Sequence, residues 1–244
     1  MKMLSFAGRT AKDILRDPLN LFFGLGFPVI LLLLLSAIQA KIPVPLFEIE
    51  SLTPGILVFG LSFMTLFAAT LVAKDRESAF LQRLYTTPLH AVDFICGYIL
   101  PLLPIALLQG AVCCVTAFCL GLAVSVRVLC VLLLLLPTSL LFISLGVLCG
   151  SVLTVKQVGG ICGALLTNLT AWLSGAWFDL SLVGGAFERI ATLLPFAHAV
   201  EMERAVLAGN AAGIFPHLWW VLGYMVAATL GAVLLFLRQM RHTK

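Results

Sequence analysis

Apolar and polar residues alternate along this chain in long blocks. Six blocks contain no Asp, Glu, Lys or Arg, and they cover residues 19–40, 51–73, 94–122, 128–153, 157–178 and 218–237. Each has the roughly twenty apolar residues that a helix needs to cross about 30 Å of hydrocarbon. The pattern predicts an all-α integral membrane protein with six transmembrane helices in a single domain, residues 1–244.

The segment before the first block has the pattern of an amphipathic helix. One side of its helical wheel carries Met3, Leu4, Ala7, Ala11, Ile14 and Leu15, and the opposite side carries Lys2, Arg9, Lys12, Asp13 and Arg16. Phe6 alone falls outside the apolar stripe. Because a helix of this kind typically lies in the plane of the lipid headgroups, we predict an interfacial helix over residues 1–18.

The segment 74–93, KDRESAFLQRLYTTPLHAVD, is a charged interruption of 20 residues between the second and third predicted spans. Phe80, Leu81 and Leu84 fall on one face of a short helix. The polar remainder consists of Asp75, Arg76, Glu77, Gln82 and Arg83. Two interpretations stay open at this point: the helix rests on lipid headgroups, or its apolar face fits a groove on a separate cytosolic protein.

Composition and charge give the orientation. The chain is 61% hydrophobic and only 11% charged, against roughly 25% in a soluble domain. With the amino terminus inside, eleven of the 15 Lys and Arg residues fall on the cytosolic side, as the positive-inside rule requires. We therefore predict a multi-pass protein with both termini and the segment 74–93 in the cytosol. The net charge of +4 is too small and too scattered to indicate a nucleic-acid partner.

The fifth predicted span contains a face of small and hydroxyl-bearing residues. Its members are Gly159, Gly163, Thr167, Thr170 and Ser174, with Asn168 beside them. Small residues at this spacing allow two helices to approach closely, and the polar groups can form hydrogen bonds between helices. The alternative is that these residues line a translocation path or the seam between two copies of the chain.

The segment 179–217, between the fifth and sixth spans, is too apolar for a solvated loop. We predict two short external helices, 187–194 and 196–207, separated by Pro195 and ended by Gly209. Glu203 falls in the middle of an apolar face of the second helix. It either reaches the headgroups or a basic residue, or faces the bundle interior near an outer gate. His198, on the opposite face, is predicted to be a surface residue.

Catalytic and metal-binding motifs are missing from the sequence. It has no GxxxxGK[ST] nucleotide loop, no HExxH zinc motif and no pair of carboxylates within a span. We therefore predict no catalytic residue, no bound metal and no cofactor on this chain. A nucleotide-independent secondary transporter or a substrate-binding membrane subunit remains an alternative. Secondary transporters, however, usually carry ionisable groups at mid-membrane and internal repeats, and the sequence shows neither.

Four stretches together resemble the ABC-2 type permeases, the membrane subunits of ABC exporters. In chain order they are KDILRDPLNLFF, TPG, KDRESAFLQRLYTTPL and LPFAHAVEMERAVLAG. Their order, spacing and topology carry the resemblance, which covers essentially the whole chain. One departure lies in the charged segment, where Ser78, Ala79 and Phe80 stand in place of the Gly-Thr that is common in the family.

The resemblance implies an exporter in the cell membrane in which two permease copies, identical or paralogous, form the conduit. A separate ABC ATP-binding subunit would dock under each copy and carry ATP and magnesium. The segment around Phe80, Leu81 and Leu84 would enter a groove on that subunit, with Asp75, Arg76, Glu77 and Arg83 forming ion pairs at its rim. A hydrophobic or amphipathic cargo is expected: a drug, an antibiotic, a lipid or a peptide.

Overall fold

The computed structural model describes residues 2–78 and 91–242, and over these ranges the chain is helical with no strand. We number the main helices α1 to α9. They are α1 Lys2–Leu15, α2 Pro18–Gln39, α3 Ile49–Glu77, α4 Ala91–Cys119, α5 Val126–Gly150, α6 over residues 155–173, α7 Gly185–Leu193, α8 Pro195–Ala208 and α9 Ala211–His242. The predicted all-α fold is confirmed.

Five of the described helices, namely α2, α3, α4, α5 and α9, are long and apolar enough to cross a membrane. The fifth predicted span, 157–178, differs from the prediction. Its helix α6 is short, contains a π-helical stretch at Gly159–Leu166 and ends at Leu173. Gly175, at φ +70°, adopts the left-handed conformation that favours glycine and stops helices, so the apolar residues after it are not helical.

Helix α3 is the centre of the bundle. In its most apolar stretch 83% of the residues are buried, against 17–50% in the other four spans. It packs most extensively on α5, at Gly146 and Gly150. A Cβ on these glycines would lie 2.4 Å from the carbonyl oxygen of Thr65 and 2.5 Å from that of Ala69, so only glycine permits this approach. The hydroxyl of Thr65 donates a hydrogen bond of 2.7 Å to the carbonyl oxygen of Phe142, which also joins the two helices.

Helix α1 packs against α4, and the residue that anchors it is Phe6, which the apolar stripe excluded. The Phe6 ring is buried in edge-to-face contact with Phe94 and Tyr98, at centroid distances of 5.9 and 5.0 Å. It fits because Gly97 has no side chain: a Cβ there would lie 2.1 Å from the ring. Leu4, from the predicted stripe, is 60% exposed. The buried face of α1 is therefore rotated relative to the stripe, because ring packing against α4 outweighs the alignment of small aliphatic residues.

The bounds of α7 and α8 are close to those predicted for the two short external helices, 187–194 and 196–207. Pro195 begins α8, where its missing N–H costs nothing. Gly209 ends the helix at φ +74°, as expected of a left-handed helix terminus. Arg127 donates a hydrogen bond of 3.0 Å to the carbonyl oxygen of Leu207, so the exposed end of α8 is joined to the start of α5.

Candidate functional site

The last turn of α3 carries four consecutive charged residues, beginning with Lys74. We call the last three, Asp75, Arg76 and Glu77, the charged triplet. It immediately precedes the part of the 74–93 segment that lies outside the described residues. Because successive side chains of a helix point about 100° apart, the three reach three different neighbours. Each one contacts a different part of the bundle, so the charged triplet joins the base of α3 to several neighbouring helices.

Asp75 is the buried member of the triplet, with 9% of its side chain exposed. Both of its carboxylate oxygens accept hydrogen bonds from the guanidinium of Arg9 on α1, at 2.8 and 2.7 Å. The hydroxyl of Tyr98 on α4 donates a third, at 2.8 Å. Bidentate charge-assisted pairing of this kind is among the strongest polar contacts in proteins. The hydrogen bond to Asp75 is also the main reason that the pKa of Arg9 is raised.

Arg76 points toward the other side of α3, at the end of α5. Its guanidinium donates to the carbonyl oxygens of Ser151 and Leu153. Both carbonyls follow directly after the last turn of α5, near the negative end of its dipole, where a cation is stabilised. Gln239 on α9 donates to the same Ser151 carbonyl at 2.7 Å. Arg76 therefore joins α3 to the end of α5, and Gln239 joins α9 to the same carbonyl.

Glu77 contacts the beginning of α6. Its Oε1 accepts a hydrogen bond of 2.9 Å from the backbone N–H of Val155, the first residue of that helix. An acid at a helix amino terminus accepts from an N–H that the helix leaves unpaired, and it complements the dipole. The side chain of Thr154 caps the same end together with Gln157. The whole charged triplet is thus used to hold α1, α4, α5 and α6 against the base of α3.

This arrangement changes the interpretation of the residues that the sequence analysis singled out for ATPase coupling. Asp75, Arg76 and Glu77 were predicted to form ion pairs at the rim of an ATPase groove, whereas the structure gives all three of them partners inside the chain. The sequence could not show this, because Arg9, Ser151 and Val155 are 66, 75 and 78 residues away from them. The other predicted coupling residues, Phe80, Leu81, Arg83 and Leu84, lie outside the described residues.

The candidate path or seam residues of α6 do not share one environment. Thr167, Thr170 and Ser174 are buried inside the chain, Asn168 is exposed, and Gly163 is intermediate. The hydroxyl of Thr167 donates to the carbonyl oxygen of Cys162 at 3.0 Å, and the amide of Asn168 donates to that of Ala164 at 2.8 Å. These bonds lie within α6, so they do not connect helices. Of these candidate residues, Asn168 is the one that lies on the exposed face of α6.

Glu203, on α8, is fully buried, and neither carboxylate oxygen has a hydrogen-bond partner among the described residues. It therefore does not reach the headgroups or pair with a base. Burial raises the pKa of Glu203 well above its ordinary value, because the charged form would lose its hydration. Its neighbour Arg204 points away and donates to the carbonyl oxygens of Gly175 and Ser51. Burial therefore disfavours the charged form of this carboxyl group.

A pair of histidines that the sequence analysis did not recognise joins α8 to α9. His198 Nδ1 lies 2.8 Å from His217 Nδ1, and its Nε2 lies 2.9 Å from the carbonyl oxygen of Thr192. The His198 ring stacks on Trp220 at a centroid distance of 4.8 Å. Burial lowers the pKa of His198. His198 was predicted to be a surface residue, and in the structure it is partly buried, because α9 covers part of the face of α8 that the helical wheel left open.

Comparison with known proteins identifies the family. The family model described as ABC-2 type transporter matches residues 2–208. Nodulation protein J of Bradyrhizobium diazoefficiens is 27% identical over 235 residues, which cover 93% of this chain and 85% of that protein. No solved structure shows a significant match. The extent of the family match shows that the chain belongs to the ABC-2 type transporter family, as the multi-pass membrane subunit of an ABC transporter.

Proposed function

We propose that this chain is the permease of an ATP-driven exporter, that two copies form the conduit, and that a separate ATP-binding subunit docks on the segment 74–93 of each. The charged triplet carries the proposal. A segment that receives force from a partner must be joined stiffly to the helices that move, and Asp75, Arg76 and Glu77 join it to four helices at once. Family membership favours this function over the secondary-transporter alternative.

In the proposed mechanism the two kinds of residue in the segment have separate tasks. Phe80, Leu81 and Leu84 would enter a groove on the ATP-binding subunit, with Arg83 at its rim, and ATP and magnesium would bind on that partner. The charged triplet would then transmit its movement to the bundle. Because α3 is the buried central helix, a tilt of its base moves the helices packed around it as rigid bodies. Both termini and the segment 74–93 would lie in the cytosol, below the cell membrane.

The conduit and its outer end are also part of the proposal. Asn168 on the exposed face of α6, with Gly163 beside it, would face the partner copy or the cargo, whereas Thr167, Thr170 and Ser174 would shape that helix from within. Glu203 would close the outer end of the path as a neutral acid that ionises when the helices separate and water enters. With few buried charges available to recognise a charged molecule, a hydrophobic or amphipathic cargo fits best.

Copurification with the cognate ATP-binding subunit tests the two tasks separately. The double variant Phe80→Asp with Leu84→Asp should abolish copurification, while Asp75→Asn should leave association intact and lower ATP hydrolysis stimulated by cargo. The matched control is Lys12→Gln, an exposed charge on α1 outside the network. If the double variant still copurifies, the segment is not the docking site. If Asp75→Asn leaves stimulated hydrolysis unchanged, the charged triplet does not transmit movement.

A further inference from the structure

A cavity of about 340 Å³ opens between α1, the start of α2 and the last three turns of α3. This is within the range of small-ligand sites. Its lining consists of Arg9, Asp13, Ile14, Arg16, Asp17, Asn20, Phe67, Thr70, Leu71, Lys74, Asp75 and Ser78. On α3 the lining residues recur at the three- and four-residue spacing of a single helix face. The cavity is therefore a groove between helices and not a shallow depression of the surface.

The groove is lined by equal numbers of basic and acidic side chains, but only some of them form ion pairs within the chain. Three basic and three acidic side chains line it. Arg9 is occupied by Asp75 and also by Asp13, at 3.1 Å from its Nε. Arg16 and Lys74 are exposed, and within the described ranges neither lies within ion-pair distance of an acid. The groove thus offers two cations without an acidic partner, Arg16 at the end of α1 and Lys74 on α3, and the partly exposed carboxylates of Asp13 and Asp17. Asp17 also caps α2, where its two oxygens accept hydrogen bonds from the backbone N–H and the side-chain amide of Asn20 at 3.2 and 2.7 Å.

The position of the groove corresponds to the boundary between hydrocarbon and water. Helix α2 begins its span at Pro18, and α3 ends its span at Glu77, so the groove lies where both helices leave the membrane. Its deeper wall is apolar, with Ile14, Phe67 and Leu71. Directly beside it, Leu15 and Leu19 are 67% and 65% exposed. A ligand that fits must be zwitterionic at one end and apolar at the other.

We propose that this groove binds the headgroup of a zwitterionic phospholipid with a primary amine, such as phosphatidylethanolamine. The phosphate lies between Arg16 and Lys74, which supply charge-assisted hydrogen bonds. The ammonium group lies beside Asp13 and Asp17, and the acyl chains follow Leu15 and Leu19 into the membrane. A primary ammonium donates hydrogen bonds to carboxylates, whereas a quaternary choline has none to donate, and an anionic glycerol headgroup has no cation.

Lipid retention by the purified permease, without its ATP-binding subunit, tests this site independently of the proposed transport function. The chain is reconstituted in vesicles with equal amounts of phosphatidylethanolamine, phosphatidylcholine and phosphatidylglycerol. It is then extracted in mild detergent, and its bound lipids are quantified by mass spectrometry. We expect phosphatidylethanolamine to be retained above the other two. The double variant Arg16→Gln with Lys74→Gln should lower its retention about tenfold, because two charge-assisted hydrogen bonds are lost.

Two further variants separate a built site from a charged surface. Lys12→Gln removes one positive charge from the same helix outside the groove, and it should retain phosphatidylethanolamine as the parent does. Thr70→Trp fills the groove without changing charge, and it should lose the lipid although it elutes as the same species in size-exclusion chromatography. Equal retention of phosphatidylcholine would overturn the role of the amine. Equal losses in Lys12→Gln and the double variant, or full displacement by soluble phosphoethanolamine, would overturn the lipid site.

Discussion

The base of α3 and the middle of α8 both bury an acid, and they treat it in opposite ways. Asp75 accepts three hydrogen bonds, two of them from a cation, so its charge is stabilised where it lies. Glu203 has no hydrogen-bond partner among the described residues, so burial favours its neutral form. A partnered buried charge holds helices in one arrangement, whereas an unpartnered acid favours any arrangement that lets water reach it. The base of α3 is therefore suited to a rigid connection between helices, and the buried acid of α8 is suited to the outer gate that we propose.

Removing the carboxylate of Asp75 should have the largest effect on stability, because it breaks the buried ion pair at the base of α3. Asp75→Ala leaves Arg9 without its main partner, and breaking a buried pair costs about 3–5 kcal/mol. Because Arg9 keeps 39% of its side chain exposed, we expect about 3 kcal/mol of lost unfolding free energy. Thermal unfolding in detergent measures it. Asp13→Ala, which removes the exposed partner of the same Arg9, should cost less than about 1 kcal/mol. Equal losses would show that burial of Asp75 adds nothing.

Gly97→Ala tests the same joint without touching a charge. The new Cβ would lie 2.1 Å from the Phe6 ring, and forcing extra atoms into a packed site costs about 1–3 kcal/mol. We expect loss of unfolding free energy near 2 kcal/mol and faster proteolysis within α1. Gly8→Ala is the matched control on α1, because nothing lies within 4 Å of a Cβ there. It should stabilise the helix by about 0.5–1 kcal/mol. Unchanged proteolysis of Gly97→Ala would show that α1 does not depend on this contact.

The pH dependence of stability sharpens the comparison at Glu203. Since burial raises its pKa in the folded state, unfolding releases a proton, and stability falls as pH rises from about 4.3 toward the folded pKa. The slope of this single group is at most about 1.4 kcal/mol per pH unit. Glu203→Gln should remove that slope, and Glu203→Leu should also raise the melting temperature at neutral pH. Glu201, exposed on the same helix, provides the control variant Glu201→Gln. A slope that survives in Glu203→Gln would exclude this residue as its source.

The histidine pair should give the smallest effect, in the opposite pH direction. Burial lowers the pKa of His198, so the unfolded chain binds more protons and stability falls as pH drops below about 6.5. His198→Phe keeps the stacking on Trp220 and removes the titrating ring, and it should abolish this loss at a cost of about 1 kcal/mol at neutral pH. Unfolding measured across pH 5–8 checks it. Acid sensitivity equal to that of the parent chain would place the effect at another group.

The sequence was sufficient for properties that depend on local pattern. Hydropathy identified every helix long enough to cross the membrane, and Pro195 and Gly209 correctly bounded α8, because a missing N–H and a left-handed φ are properties of single residues. It failed where an outcome depends on neighbours far along the chain. The small-residue face of α6 was predicted to allow close helix contact, yet the glycines on which a Cβ would meet the backbone of another helix are Gly146 and Gly150 on α5.

The candidate site likewise has features that the sequence alone predicts and features that depend on the tertiary structure. Composition and order of motifs were enough to establish a membrane protein and to select the segment 74–93, because burial of apolar residues and exposure of charged ones follow from transfer free energies alone. Which partner each charge finds was decided by the tertiary structure. Asp75 and Glu203 each stand beside a basic residue in the sequence. The packing of α1 and α4 brings Arg9 and Tyr98 to Asp75, whereas no described residue forms a hydrogen bond with the carboxyl group of Glu203.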